Sequence, residues 1–213
     1  MFDYSEMRES LQRGNAPRVR LLAEQALASG CSAIAILNEG LIASMAIVGE
    51  RFKRNEVYVP EVMVAARAMN AGLDVIKPVL IATGAPSVGK LVIGTVKGDL
   101  HDIGKNLVKM MFEGAGYSVV DLGTDVTPEV FVAAVKEEKP DILGLSALLT
   151  TTMPSMRTTI EALENAGIRQ NVTVLVGGAP VTRQYASEIG ADGYAPDATS
   201  AVEIAGKLRG CAS

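Results

Sequence analysis

The chain contains no tryptophan, and aromatic residues make up only 4% of its 213 positions, so base stacking on single-stranded nucleic acid is not expected. Its 20 Lys and Arg are dispersed and outnumbered by 24 Asp and Glu, giving a net charge of −4. No basic stripe is available to neutralise phosphates, and no polybasic run to hold an anionic membrane. Nucleic acid and membrane are thereby excluded as expected partners. No uninterrupted apolar run reaches the roughly 20 residues that span a bilayer. The N-terminal MFDYSEMRESLQRG lacks the basic-then-apolar order of a signal peptide, and the expectation is a cytoplasmic protein. Cysteine is almost absent. Cys31 and Cys211 lie far apart without CxxC or Cys/His spacing, which argues against a disulfide framework or a zinc site and leaves two free thiols. Histidine is scarcer still, with His101 alone.

What is present points to an α/β protein: 48% hydrophobic residues, 21 glycines, and enough length for two units. Up to about residue 80 the apolar residues recur at three and four. A short N-terminal helix, RVRLLAEQALASG closed by Gly30, SAIAILNEGLIASMAIVGERFKRN, and VPEVMVAARAMNAGLDVIKPV with Pro60 in its first turn make four helices. Four helices joined by short polar turns hide their apolar faces by packing as a four-helix bundle. IATGAPSVGK, Ile81 to Lys90, then breaks the pattern as a linker. The expected division is a helical unit over 1–85 and a second unit over 86–213.

After the linker, LVIGTV (91–96), YSVVDLG (117–123), DILGLSAL (141–148), VTVLVGG (172–178) and DGYAP (192–196) alternate with helical stretches. The alternation predicts a doubly wound, Rossmann-like or flavodoxin-like domain with a five-stranded parallel sheet. Ligands of such domains sit outside the carboxyl ends of the strands.

The first of those ends carries KGDLHDIG. Asp99 and His101 flank one residue, so in an extended loop both side chains can point to one side. A carboxylate that accepts one ring N–H fixes the imidazole tautomer and leaves the other nitrogen free to bind a metal. A histidine that merely caps the helix or packs in a polar loop is the plainer alternative. Gly98 and Gly104 bracket the pair, either as turn residues or to admit a bulky ligand. The third strand runs into GLSALLTTTM, placing Ser146, Leu148, Thr150, Thr151 and Thr152 at or past its end. Their hydroxyls could serve a ligand or cap a helix beginning near Met153. Gly177 and Gly178 close the fourth strand. Three neighbouring strand ends without bulk suggest a deep slot for an extended group.

Other site types fit poorly. GAPSVGKL, Gly84 to Leu91, nearly spells a P-loop, but Leu91 stands where Ser or Thr is required and the segment precedes its strand. No G-x-G-x-x-G follows the first strand, and no nucleophile elbow accompanies the histidine.

In these residues the sequence resembles the cobalamin-binding domain family, whose motif is Asp-x-His-x-x-Gly, then Ser-x-Leu, then Gly-Gly. Here the parts are Asp99, His101 and Gly104; Ser146 and Leu148; Gly177 and Gly178. The resemblance implies cobalamin bound with its benzimidazole tail displaced into the slot and His101 as the axial cobalt ligand. Asp99 would orient His101, and the Thr152 hydroxyl would extend the relay where methionine synthase has a serine. By the same resemblance Gly98, Leu100, Asp102, Ile103 and Thr150 line the cofactor, and Ala195 and Ala198 join them by position after the fifth strand.

Gly49 to Pro78 looks like the helical cap that precedes the cobalamin domain in methionine synthase and in small corrinoid proteins. There Met63, with Val62, Ala66 and Met69, would be the lid over the corrin or else ordinary bundle core; Ile81–Lys90 would be the hinge. The whole resembles the stand-alone corrinoid proteins of methanol, methylamine and aryl-ether methyltransferase systems. It implies a methyl carrier without catalytic residues of its own, served by a substrate-specific methyltransferase, a second methyltransferase using tetrahydrofolate or coenzyme M, and a reductive activating protein. The small subunit of an adenosylcobalamin mutase, a cobalamin-sensing regulator, and a flavodoxin-like module without cobalamin are the alternatives.

Overall fold

Asn15 accepts the backbone N–H of Arg18 and so opens α2 (Ala16–Ala28), while Ser32 does the same for α3 (Ala33–Ala35) through the N–H of Ala35. With α1 (Ser5–Gln12), α4 (Ala43–Lys53) and α5 (Val59–Ala82), these form the helical half in a computed structural model that describes residues 2–83 and 88–210. A π-helical segment, Ile36–Ile42, joins α3 to α4, so Ala33–Lys53 is one run of 21 residues. By length and composition that run could cross a membrane, a point missed by counting only unbroken apolar stretches. Asn38, Glu39 and Glu50 interrupt it, and Ile36, Leu41 and Met45 are buried, as in a core helix. Met7, Leu11, Val19, Leu22, Met69 and Ile76 complete that interior.

The chain divides into two compact units, Met1–Val88 with Glu113–Gly116, and Gly89–Phe112 with Tyr117–Ser213. Residues 84–87, inside the segment read as linker and hinge, lie outside the described residues, as does Cys211. Helix α5 runs past Pro78 to Ala82, farther than the sequence pattern indicates.

The second unit holds β1 (Lys90–Thr95), β2 (Ser118–Asp121), β3 (Ile142–Ser146), β4 (Thr173–Gly177) and β5 (Gly193–Ala195). Helices α6 (Ile103–Gly114), α7 (Pro128–Glu138), α8 (Pro154–Asn165) and α9 (Arg183–Glu188) connect them, and α10 (Ala198–Leu208) follows β5. The strands pair in the order β2-β1-β3-β4-β5, all parallel, the doubly wound sheet of flavodoxin-like proteins. Helices on both faces explain why β1, β3 and β4 are buried almost throughout. Register aligns the strand ends: Thr95 pairs with Ser146, Ser146 with Gly177, and Gly177 with Ala195. The chain leaves β1 for β2 on one side and arrives at β3 on the other, so the crevice between the β1 and β3 ends is the topological switch point.

Phe131 of α7 is fully buried in the core of this unit with Val92, Leu143, Val174, Met156 and Ile160. Truncating its ring leaves a cavity where the helix meets the sheet. Phe131→Ala is expected to destabilise the unit by about 3–5 kcal/mol, measured as a lower urea midpoint; an unmoved midpoint would contradict this packing.

Candidate functional site

Beyond Thr95 the chain turns back over its own strand end. Val96 donates its N–H to the Ser146 carbonyl at 3.0 Å and bridges Val126, while the Thr95 hydroxyl donates to the His101 carbonyl at 2.9 Å. Gly98 sits at φ 85°, in the left-handed region that suits a residue without Cβ. Ser155 of α8 ties the loop down by donating to the Lys97 carbonyl at 3.1 Å. The loop ends where the Asp102 carbonyl accepts the Asn106 N–H at 2.7 Å and α6 begins.

Asp99 lies inside this turn with none of its surface exposed. Its Oδ1 accepts the backbone N–H of His101 at 3.0 Å and lies 2.7 Å from His101 Nδ1. Its Oδ2 accepts the N–H of Leu148 at 2.7 Å, the N–H of Leu149 at 3.3 Å and the Thr152 hydroxyl at 2.7 Å. Burial alone would push this carboxyl up. The Thr152 hydroxyl, the His101 and Leu148 N–H groups and the His101 ring outweigh it and hold Asp99 well below the usual carboxylate range. It is therefore ionised at neutral pH and accepts the Nδ1 proton.

The consequence falls on His101. With Nδ1 as donor, the neutral ring presents Nε2 as a lone pair, and Nε2 has no partner among the described residues. The side chain is 50% exposed. Around it stand apolar groups open to solvent: Leu100 at 71%, Ile103 at 77%, and Leu148 and Leu149 less so. Gly104 has open space where a Cβ would be. An imidazole nitrogen, pinned in tautomer and rimmed by exposed leucine and isoleucine, suits a flat, largely apolar ligand that carries an electrophilic centre. Among the described residues no three His, Cys, Asp or Glu side chains converge on a metal position. One imidazole by itself offers too few donors to hold a bare ion.

The remaining candidates divide. Ser146 ends β3, and its hydroxyl has no hydrogen-bond partner among the described residues; Thr150 is exposed. No hydroxyl caps α8, whose first turn is set by Pro154, so the capping alternative does not apply there. Gly178 is glycine for a backbone reason: at φ 132° a Cβ would collide with the Ala147 carbonyl. Gly177 is less confined, its added Cβ lying 3.1 Å from the Ala195 carbonyl. Ala195 and Ala198 are buried and offer little surface. On α5, Val62, Ala66 and Met69 are buried in the helical unit, whereas Met63 is 47% exposed.

Several residues were not legible beforehand. The backbone N–H of Leu149 joins the Asp99 shell, which no side-chain motif encodes. Thr199, in the first turn of α10, buries a hydroxyl with no partner among the described residues. That orphan beside the β5 end is suited to a polar group arriving there. Lys105, almost fully buried, binds Asp121 Oδ1 at 2.6 Å, with Lys109 3.5 Å from Oδ2. This joins α6 to the end of β2. Burial raises the Asp121 carboxyl, but the Lys105 hydrogen bond, the Gly123 N–H and both lysine charges bring it below its ordinary value.

Comparison with known proteins identifies the family. Two families, each described as a B12 binding domain, match residues 89–203 and 4–77. A corrinoid protein of Desulfitobacterium hafniense (strain Y51) is 42% identical over 208 residues, 96% of each chain. Trimethylamine corrinoid protein 1 of Methanosarcina acetivorans is 46% identical over 183 residues, 85% of each. The solved methanol:cobalamin methyltransferase complex of Methanosarcina barkeri superposes with a TM-score of 0.86 at 31% identity, covering 97% of this chain and 79% of that chain.

The depressed Asp99 carboxyl makes a pH prediction for the apoprotein. Its stabilising contribution is complete above the unfolded value of about 3.9 and is lost as pH falls from there toward the lower folded value. Asp99→Asn is expected to be less stable at pH 7 by roughly 2–4 kcal/mol and to show a shallower fall in stability below about pH 4. Urea unfolding at a series of pH values checks this; parallel curves for the two proteins would contradict it.

Proposed function

Because the chain belongs to the family of corrinoid proteins built on the B12 binding domain, with cobalamin as cofactor, we propose that it is a methyl carrier. A substrate-specific methyltransferase loads it, and a second methyltransferase using tetrahydrofolate or coenzyme M unloads it, in the cytoplasm. The observation that carries this reading is the free Nε2 of His101, set by the buried Asp99 within an apolar rim. The trimethylamine corrinoid protein and the methanol:cobalamin methyltransferase complex among the similar proteins support the pairing with methyltransferases.

When bound, the corrinoid supplies a cobalt centre that can take up and release a methyl group. The chain's own residues hold and tune it. His101 Nε2 would hold the cobalt in place of the cofactor's benzimidazole. Asp99 keeps the proton on Nδ1 and raises the basicity of Nε2, and Thr152 holds the carboxylate in place. Leu100, Ile103, Leu148 and Leu149 would line the corrinoid with apolar surface, with Gly98, Asp102 and Gly104 at the margin. Ser146, Thr150, Gly177 and Gly178, with Thr199 beyond Ala195 and Ala198, would line the space for the displaced tail. The helical region over 1–85 would be the cap, with Met63 its lid residue, and the region over 86–213 the cobalamin-binding one. A reductive activating protein would be its third partner.

The test starts from apoprotein incubated with hydroxocobalamin and freed of excess cofactor. The wild type is expected to stay red and, once reduced to Co(II), to show imidazole-nitrogen coupling in its electron paramagnetic resonance spectrum. His101→Ala is expected to lose that coupling and to bind at least tenfold more weakly. Coupling that persists in His101→Ala would remove His101 as the ligand. A folded wild type that retains no colour would remove the carrier reading itself.

A further inference from the structure

The loop that carries His101 is held from two sides, and only one of them involves the motif. On the β3 side, the Leu148 and Leu149 N–H groups and the Thr152 hydroxyl grip the Asp99 carboxylate. On the β2 side, a single residue outside the motif makes two bonds to consecutive loop residues. Asp125 Oδ1 accepts the Gly98 N–H at 2.7 Å, and the Asp125 N–H donates to the Asp99 carbonyl at 3.0 Å. We propose that Asp125 is a positioning residue for His101, the second jaw of a clamp that sets where the imidazole stands. The inference rests on the reading of His101 as axial ligand.

The backbone of Asp125 supports this. It sits at φ 55°, one of three non-glycine residues at positive φ among those described. Side chains rarely adopt this region, and Asp and Asn tolerate it best. The loop around it follows β1 beyond the end of the sheet: the Gly123 carbonyl accepts the Thr95 N–H, and Val126 donates its N–H to the Thr95 carbonyl, both at 3.0 Å. The left-handed turn at Asp125 therefore has a local purpose, since it brings one residue's N–H and carboxyl together against Gly98 and Asp99. Gly98 is itself left-handed at φ 85°, so both sides of this contact adopt special backbone geometry. Asp99 is then gripped by its main-chain carbonyl from β2 and by its carboxylate from β3. Its Oδ1 bonds to His101 depend on both grips.

Three residues at position 125 separate the possibilities. Asn keeps an Oδ1 acceptor and tolerates the left-handed turn; Gly keeps the turn and removes the acceptor. In the apoprotein, amide hydrogen exchange is read at His101 and Leu148, whose N–H groups bond to Asp99 and do not touch residue 125. D125G is expected to exchange about tenfold faster there, with Val174 and Leu175 in β4 unchanged, and D125N to match the wild type. Unchanged exchange at His101 and Leu148 in D125G overturns the proposal. Faster exchange throughout the sheet also overturns it, because the residue would then be merely structural. In the Co(II) holoprotein, D125G is expected to lose part of the imidazole-nitrogen coupling and D125N to retain it. Full coupling in D125G counts against the positioning role alone. A wild-type spectrum without nitrogen coupling removes the axial-ligand reading, while the exchange measurement still decides whether the clamp exists.

Discussion

A carboxylate shut away from water is tolerable only if its lone pairs are met, since the desolvation penalty otherwise runs to several kcal/mol. Asp99 satisfies that condition with five donors: two from His101, and one each from Leu148, Leu149 and Thr152. This requirement shapes the site. The turn after β3 must present two successive N–H groups and a hydroxyl to one oxygen, which fixes its path. The loop after β1 must fold back far enough to submerge Asp99 while leaving half of the His101 side chain outside. A ring held by a saturated carboxylate has one tautomer and little freedom, so its outward nitrogen is ready for a ligand before any ligand arrives.

Topology makes that arrangement possible. Residues nearly fifty positions apart, Asp99 and Leu148, become hydrogen-bond partners because β1 and β3 are neighbours in register and their chains diverge at the switch point. The next strand ends follow in line, Ser146 beside Gly177 and Gly177 beside Ala195. Loops from β1, β3, β4 and β5 therefore share one edge of the sheet, an apolar rim around His101 at one end and the buried Thr199 hydroxyl beyond the other. Gly178 shows that glycine on this edge has two uses. The residue leaves the edge bare, but its conformation is required by the Ala147 carbonyl whether or not a ligand is present.

Much of this was legible in the chain. Short apolar runs alternating with amphipathic ones announce a parallel sheet, because strands buried on both faces and helices buried on one produce different periods. The spacing of Asp99 and His101 announces an orienting pair. In the helical half, the stripe of Val62, Ala66 and Met69 follows helical spacing and is buried, while Met63, one position off it, is exposed; periodicity identifies the packed stripe and says nothing of what an exposed neighbour covers. Ala33–Lys53 was harder to classify, since its polar interruptions hide a helix whose overall length and composition would suit a membrane.

The sequence by itself determined that a helical half precedes five alternating strands, where those strands end to within two residues, and that one histidine carries a carboxylate within reach, because these follow from local periodicity, turn chemistry and spacing. Only the tertiary structure decided that Leu149 contributes its amide, that Asp125 holds the other side of the histidine loop, that Ala195 and Ala198 are covered, and that the Thr199 hydroxyl has no partner among the described residues. Those facts depend on backbone groups and on contacts between loops distant in the chain. A main-chain N–H belongs to nearly every residue and leaves no mark in the sequence. Which one meets a buried charge is settled when the strands align.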